Sequence, residues 1–472
     1  MLLFVISQNP LYLALENNNK IRPLDIIGNR ILELGYADDT NIITGDDESF
    51  MEIFNVFHYF ERATNSKINI RKTKVYGFGN WEKRRMWPIV NLKVEEEYFT
   101  TLGIHFSCNY DIALKTMWKY IYDKIQNRIP MIRNRNFTLY QKATLINSLI
   151  ASKIWYVSHV YPLPIKYSTL INKEIFTFLW GSNSNPIKRI VIYNKKGNGG
   201  LGLLNIFQKA KSIFVGTMIR SFLLSDVNDL IRYYIANKVG NIFNIINDQR
   251  NITSSNAPYY EYAIDTIKIC KTHKNFPHIK SSDIYEIISP QCTPDIVNKY
   301  NFDWNNIWTN LNFKYINIVD RNIMFKYIYE ILPTNHRLAN IRLRQSPMCD
   351  YCNQEDTNSH KFYHCVKVQE CVSWLRKVIF YIGGVQTDSL LKILYLDIPK
   401  INRKNMNLIC IIIACYISCV WSNRENLTYI KNIMKAKLLR THRFHIQLLG
   451  EAINKIFSEN YCNMDIRILN KF

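Results

Sequence analysis

Four metal-binding side chains close together restrict the local fold of this chain more than any other feature of its sequence. The stretch MCDYCNQEDTNSHKFYHC has the spacing C-x2-C-x7-H-x4-C. Its four members are Cys349, Cys352, His360 and Cys365. Thiolate and imidazole groups suit a tetrahedral zinc ion, and a C-x2-C pair can bind one ion from a single turn. The spacing predicts a zinc knuckle, and the alternative is a set of buried thiols beside a surface histidine. His364 and Cys371 are spare potential ligands, so the identity of the fourth ligand is left slightly open.

A second motif places two aspartates side by side between short apolar runs. In LELGYADDTNIITG, the segments ILELGY and TNIIT predict two strands, and ADD predicts the tight turn of a hairpin. Adjacent carboxylates repel, so Asp38 and Asp39 need a cation, hydrogen bonds or open water beside them. Taken alone, the motif is more typical of a solvated hairpin tip than of a metal site.

The charge balance favours a polyanionic partner. Lys and Arg number 60 against 38 Asp and Glu, a formal charge of +22, and 47% hydrophobic residues exclude a disordered basic tail as the whole explanation. From Met117 onward, long basic helices are predicted in which cationic and aromatic residues alternate. The candidate phosphate contacts there are Lys124, Arg128, Arg133, Arg135 and Lys142. A solvated helix face is the alternative.

The sequence predicts an intracellular protein, in the nucleus and cytoplasm, that is neither secreted nor bound to a membrane. No basic residue precedes the apolar N-terminal run, and Pro10 interrupts it. The run from Leu408 to Trp421 is shorter than the ~18 to 20 residues of a membrane span, so we interpret it as a buried helix. Eleven cysteines without a secretory context indicate reduced thiols.

Three further segments have a simpler interpretation. Apolar residues recur at helical intervals from Glu48 to Ser66 and predict an amphipathic helix that ends near Asn65. The spacing of the four glycines between Asn194 and Lys211 matches neither the Walker A motif nor the dinucleotide-binding fingerprint. These glycines predict a turn before a helix. Residues 226–300 are polar and lack clear periodicity, so they are interpreted as a connecting region.

In type and order, these motifs resemble the reverse transcriptase of non-LTR (LINE-type) retrotransposons. YADD resembles the active-site hairpin of that family, and MLLFVISQNPLYLAL is similar to a helix of its palm. INIRKTKVYGFG resembles the next palm motif, with Asn69, Lys72 and Lys74 at the matching places. TLGIHF resembles the primer-grip hairpin around Leu102 and Gly103. The basic helices resemble the thumb, FTFLWGSN and GGLGLLNI the extension after it, and the cysteine and histidine array the zinc-binding domain.

The resemblance implies an α+β fold with a partial palm followed by a mostly helical thumb, a helical extension and a zinc knuckle. The implied domains are residues 1–108 for the palm, 109–225 for the thumb and extension, 226–300 for the connecting region, 301–380 for the zinc-binding domain and 381–472 for a C-terminal helical region. The implied partners are an RNA template and a DNA primer or target. The implied activity is RNA-directed DNA synthesis primed at a nicked chromosomal site.

The resemblance also implies roles for individual residues. Asp38 and Asp39 would bind Mg²⁺ or Mn²⁺, with Asp38 the more direct ligand, and Lys72 would lie near the incoming phosphates. Nucleic-acid contacts are implied for Lys74, Leu102 and Gly103. Other nearby acids, Asp25, Asp46 and Asp47, lack the family context.

The chain also departs from the family pattern. Ser66 stands where the family has glycine, and Thr101 where it has an aromatic residue, so a looser primer grip is expected. The chain is expected to begin inside the palm, without the fingers and the first palm aspartate. The predicted function is therefore a fragment of the polymerase that is inactive alone, and the alternative is a non-catalytic RNA- or DNA-binding remnant.

Primer extension on an RNA template tests the inherited role of the aspartate pair. We expect no extension by the chain alone with Mg²⁺ or Mn²⁺, because two carboxylates on one turn do not place two ions around an in-line displacement. Fusion to upstream fingers and palm should restore extension, and Asp38→Ala should abolish it in the fusion. Extension by the unfused chain that is lost in Asp38→Ala would contradict the expectation.

Overall fold

The computed structural model describes residues 2–26, 29–36, 39–82, 84, 92–95, 97–223, 258–276, 278–385, 390–422 and 427–442. These residues are mostly helical with a few short strands, as the α+β prediction requires. Packing groups the chain into two compact units. Unit 1 comprises residues 1–131, 150–172 and 206–289, and unit 2 comprises 132–149, 173–205 and 290–472.

Unit 1 begins with a small α/β layer. Helix α1 (Leu2–Glu16) and helix α2 (Asp47–Thr64) pack around Leu11, Leu15 and Ile53. Between them lie two hairpins, β1 (Leu24–Ile26) with β2 (Asn29–Ile31) and β3 (Glu33–Tyr36) with β4 (Asp39–Ile42). The predicted hairpin around the aspartate pair is therefore confirmed in its strands.

Local signals account for the ends of α2. The Asp46 carboxylate accepts a hydrogen bond from the Ser49 backbone N–H at 2.7 Å and caps the N-terminus. Asn65 ends the helix with φ of 61°, a left-handed conformation that asparagine tolerates. The predicted helix and its end near Asn65 are both confirmed.

The next strands in unit 1 are very short. β5 (Lys74–Tyr76) pairs in parallel with β6 (Lys93–Glu95), and β7 (Phe99–Thr101) forms an antiparallel hairpin with β8 (Ile104–Phe106). Within the stretch INIRKTKVYGFG, only Lys74–Tyr76 is a strand. The hairpin in TLGIHF is confirmed.

Helices make up the rest of both units. They are α3 (Tyr110–Arg133), α4 (Leu139–Leu145), α5 (Ser152–Val157), α6 (Ile165–Trp180), α7 (Arg189–Tyr193), α8 (Ile206–Leu223), α9 (Pro258–Lys271), α10 (Ser281–Ile288), α11 (Asp295–Lys299), α12 (Trp304–Leu311), α13 (Ile318–Ile328), α14 (Asn335–Asn340), α15 (Gln369–Gly383), α16 (Leu390–Leu394), α17 (Arg403–Ser422) and α18 (Leu427–His442). Two π-helical turns span Ile146–Ile150 and His360–His364.

The segment interpreted as a connecting region contributes to a core of unit 1. Residues 226–257 lie outside the described residues, but α9 and α10 bury Ile264, Ile267 and Ile284 against Phe214 and Val215 of α8. These two helices were not recognised from the sequence.

The glycine-rich turn before α8 is confirmed as a structural element. Gly199 adopts φ of 80°, which favours glycine, and a Cβ at Gly200 would lie 1.9 Å from the Asn194 carbonyl oxygen. The chain then enters α8 at Ile206. Gly199 and Gly200 therefore allow the backbone to turn tightly and to approach Asn194 closely.

Unit 2 is organised around α17. Among the described helices, α17 alone is long and apolar enough to cross a membrane, and 67% of its most apolar window is buried inside the protein. The helices α13, α15 and α18 pack against it. The interpretation of Leu408 to Trp421 as a buried helix is confirmed.

A buried ion pair joins α13 to α18 beside α17. Asp320 is 2% exposed, and its carboxylate accepts a hydrogen bond from the Lys437 ammonium at 2.6 Å. Lys437 also donates to the Ser418 hydroxyl of α17 at 2.9 Å. Burial lowers the pKa of Lys437, but the Asp320 carboxylate outweighs burial and holds that pKa above its ordinary value.

Replacing Lys437 with methionine should destabilise unit 2. Lys437→Met leaves the buried Asp320 charge without its cation, so we expect the free energy of unfolding to fall by about 3 kcal/mol. Urea denaturation followed by circular dichroism measures this change. Lys435→Met on the same helix is the control and should change stability by less than about 0.5 kcal/mol. Equal effects of the two substitutions would show that the pair does not stabilise the unit.

Candidate metal centre

The structure brings the four predicted zinc ligands together. The ligand atoms of Cys349, Cys352, His360 and Cys365 all lie within 4.8 Å of one another. The two sulfur atoms of Cys349 and Cys365 are 3.8 Å apart, and Cys352 Sγ lies 3.2 Å from His360 Nε2. A tetrahedron with Zn–S bonds of about 2.3 Å has S–S edges of about 3.8 Å. The cluster therefore has the size that a zinc ion requires.

A tight turn presents the first two ligands. The Cys349 N–H donates to the Gln354 carbonyl at 2.7 Å, and the Asn353 N–H donates back to the Cys349 carbonyl at 3.1 Å. Asn353 adopts φ of 53°, a left-handed conformation that asparagine tolerates better than most residues. This turn folds the C-x2-C pair onto one side.

A π-helical turn presents the other two ligands. The Cys365 N–H donates to the His360 carbonyl at 2.8 Å, five residues back. In an α-helix, residues five apart point ~140° away from each other. The wider π turn brings them closer to the same side. His360 and Cys365 thus converge although five positions separate them.

Buried polar groups fix the loop between the two ligand pairs. Asp356 is fully buried, and its carboxylate accepts a hydrogen bond from the Asn335 N–H at 3.1 Å. The Asn335 side-chain amide donates to the Met348 carbonyl at 2.8 Å. Neither residue was recognised from the sequence, because Asn335 lies 14 residues before Cys349 and Asp356 lies between Cys352 and His360. Nothing in the sequence indicates that they are buried.

The thiols differ in their electrostatic surroundings. Burial raises the pKa of Cys349, but N–H groups of Tyr351 and Cys352 outweigh it and hold that pKa below its ordinary value. Burial raises the pKa of Cys365 to about 11. Backbone N–H groups aimed at sulfur stabilise the thiolate that binds a metal.

The donor set fits a structural zinc ion. Three thiolates and one imidazole complete a tetrahedron, and a closed four-ligand site leaves no position for water or substrate. A bound ion would join the turn at Cys349 to the π-helical turn at His360. The arrangement favours a role in folding over catalysis.

The two spare ligands lie outside the cluster. His364 is exposed, with its ring against Tyr363. Cys371 is buried on α15, where burial raises its thiol pKa to about 11. Among the described residues, the group of four is the only set of three or more potential ligands that converge.

The described residues do not assemble a magnesium site. Asp38 lies outside the described residues, and Asp39 is an exposed strand residue opposite Tyr36. Asp46 caps α2, and Asp47 forms a bidentate ion pair with Arg84 at 2.7 and 2.9 Å. Asp25 is exposed on β1.

The other residues implied by the resemblance lie on exposed parts of unit 1. Lys72 is exposed in a turn, and Lys74 pairs with Glu95 at 2.8 Å. Leu102 and Gly103 form the turn between β7 and β8, with φ of 48° and 77°. The Tyr156 hydroxyl donates to the Leu102 carbonyl at 2.7 Å and ties this turn to α5. Asn69 accepts the Lys72 N–H at 2.9 Å through its backbone carbonyl.

The candidate phosphate contacts divide between the units. Lys124 and Arg128 are exposed on α3 in unit 1. Arg133 and Arg135 are exposed in unit 2, whereas Lys142 is half-buried on α4. The Lys142 ammonium donates to the Leu179 carbonyl of α6 at 3.1 Å.

Comparison of the sequence with models of known protein families finds no match.

Metal analysis of the purified chain tests the centre. We expect one zinc per chain, lost in the double variant Cys349→Ser with Cys352→Ser and in His360→Ala, because each change removes ligands from the tetrahedron. His364→Ala is the matched control and should keep its zinc, since this histidine lies outside the cluster. A zinc content unchanged in the double cysteine variant would contradict the assignment.

Proposed function

We propose that this chain is part of an RNA-directed DNA polymerase of the non-LTR retrotransposon type and acts through binding of RNA and DNA. In this proposal, the β3–β4 hairpin, α2 and the β7–β8 hairpin belong to a palm. The helices from α3 to α6 belong to a thumb, and the cysteine and histidine cluster belongs to a C-terminal zinc-binding domain.

The order of elements along the chain is the main support for this proposal. An aspartate hairpin, an amphipathic helix, a second hairpin with glycine at its turn, a basic helix and a zinc-sized cluster follow one another. Each element is common in unrelated proteins, so their sequence order carries the argument. Asp38 and Asp39 are the proposed descendants of magnesium ligands in that arrangement.

The exposed side of α3 supports contact with nucleic acid. Tyr120, Lys124 and Arg128 are exposed and follow one another at four-residue intervals, so they lie along one face of the helix. The Lys124 ammonium lies 4.1 Å from the centroid of the Tyr120 ring. A cation beside an exposed aromatic ring can contact both a phosphate and a base. The adjoining stripe of α3 buries Met117, Ile121 and Ile125, so the exposed residues border the part of the helix that packs on the protein.

The zinc ion proposed for the cluster has a structural role. It would be held by Cys349, Cys352, His360 and Cys365, and it supplies the cross-link that closes their loop. Nearby Lys361 and Lys367 lie next to aromatic rings, with Lys361 Nζ 4.8 Å from the Trp421 ring centroid. The knuckle therefore carries two cations that each lie beside an aromatic ring.

A non-catalytic RNA- or DNA-binding protein is the second candidate function. It is favoured by one observation, that the described residues supply cationic faces and a metal-sized cluster but no converging carboxylates. This candidate needs the same binding surfaces and no polymerisation. Primer extension by the fused chain distinguishes it from the first.

Binding to single-stranded RNA and DNA should be strong at low salt and nearly independent of base sequence. Each neutralised phosphate releases a counterion, so the affinity should fall steeply as salt rises. Charge reversal in Arg133→Glu with Arg135→Glu should weaken binding by at least about tenfold at 0.1 M salt, since it removes two cations and adds two anions. Fluorescence anisotropy with labelled oligonucleotides measures both effects.

A matched charge reversal elsewhere provides the control. Lys392 and Lys400 are exposed residues of the same unit and lie outside the basic helices. Lys392→Glu with Lys400→Glu changes the net charge equally, so a smaller loss of affinity would locate binding at the basic helices. Affinity that does not depend on salt would contradict the proposed binding.

A further inference from the structure

We propose that Lys326, with Lys142 and Arg133, forms an anion-binding site in unit 2 for a phosphate of the nucleic-acid backbone. This inference rests on the proposed function and adds a residue that the sequence analysis did not single out. Lys326 lies on α13, far along the chain from the basic helices.

Packing of α4 on α13 brings the two lysines together. The Leu139 N–H at the start of α4 donates to the Asn322 side-chain oxygen of α13 at 2.9 Å. Further along both helices, the rings of Tyr140 and Phe325 meet edge to face with centroids 5.8 Å apart. Lys142 follows Leu139 on α4, and Lys326 follows Asn322 on α13, by about one turn each, so both lysines lie on the stretches of the two helices that these contacts join.

Arg133 completes the group from the end of α3. Arg133 is the last residue of α3, and α4 begins six residues later at Leu139. Burial and the charges of Lys326 and Arg133 lower the pKa of Lys142. Arg133 is exposed, whereas Lys142 and Lys326 are half-buried. The group therefore opens to solvent on the Arg133 side.

No carboxylate compensates these charges within the described parts of the chain. Arg133, Lys142 and Lys326 have no ion-pair partner there. The two carboxylates that α13 carries or adjoins are engaged elsewhere, because Asp320 binds Lys437 and Glu330 binds Lys299. Lys142 uses one of its three donors on the Leu179 carbonyl, which leaves two for a ligand.

The arrangement is unfavourable for the protein without an anion. Burial and the charges of Lys326 and Arg133 lower the pKa of Lys142, and burial lowers the pKa of Lys326. Cations gathered without a counter-ion reduce stability, and such strain is typical of functional sites. A phosphate carries the charge and the acceptor oxygens that would relieve it.

Binding of single-stranded 20-nucleotide RNA and DNA to the full chain tests the site. Lys326→Met should raise the Kd about fivefold at 0.1 M salt. It should also make the negative slope of log K against log salt shallower by about 0.7, as loss of one phosphate contact predicts. Lys326→Arg keeps the charge and should retain most of the affinity. Lys314→Met, at an exposed lysine of the same unit, is the charge-matched control and should have a smaller effect.

Thermal melting separates binding from folding. Lys326→Met should melt at the wild-type temperature or above it, because it removes a half-buried, uncompensated charge. Weaker binding together with a lower melting temperature would assign Lys326 a structural role and overturn the site. Equal losses of affinity in Lys326→Met and Lys314→Met would also overturn it while leaving the proposed function intact. Absence of nucleic-acid binding by the wild-type chain would overturn both.

Discussion

A helix that is apolar on nearly every side has to be enclosed by protein, and α17 imposes this requirement on unit 2. Its residues from Leu408 to Val420 are buried with a single exception, Ile411. The zinc knuckle is attached to the same helix, because the Tyr416 hydroxyl donates to the Phe362 carbonyl at 2.8 Å. Phe362 lies between His360 and Cys365 in the π-helical turn. The placement of these two candidate ligands therefore depends on α17.

Features encoded by neighbouring residues were predictable from the sequence. The ligand array, α2 with its Asn65 end, the β3–β4 and β7–β8 hairpins and the buried apolar helix all depend on short-range patterns of apolar, turn-forming or metal-binding residues. Long-range pairing was not predictable. The parallel contact of β5 with β6 joins segments separated in sequence by residues 77–92, and no local signal in Lys74–Tyr76 specifies its partner.

The candidate site was predictable to the extent that chemistry follows spacing. The identity of the four zinc ligands could be derived from their intervals, because the intervals limit which side chains reach one ion. The supporting residues Asn335 and Asp356 could not, since their role depends on burial and on contacts made by other segments. The same is true of Lys326, whose neighbours Lys142 and Arg133 come from distant parts of the chain. Electrostatic environment is a tertiary property, so composition alone does not reveal it.

The π-helical turn decides which changes in length the knuckle can accept. Removing one residue between His360 and Cys365 would leave them four apart, and an ordinary α-helical turn places such residues ~40° from each other on one side of the helix. Adding one residue would leave them six apart, ~120° from each other in an α-helix, so the two side chains would no longer converge. Loss of one residue can therefore be absorbed by a change of helix type, whereas gain of one residue cannot. The number of residues between these two ligands is thus the property by which related knuckles should be recognised.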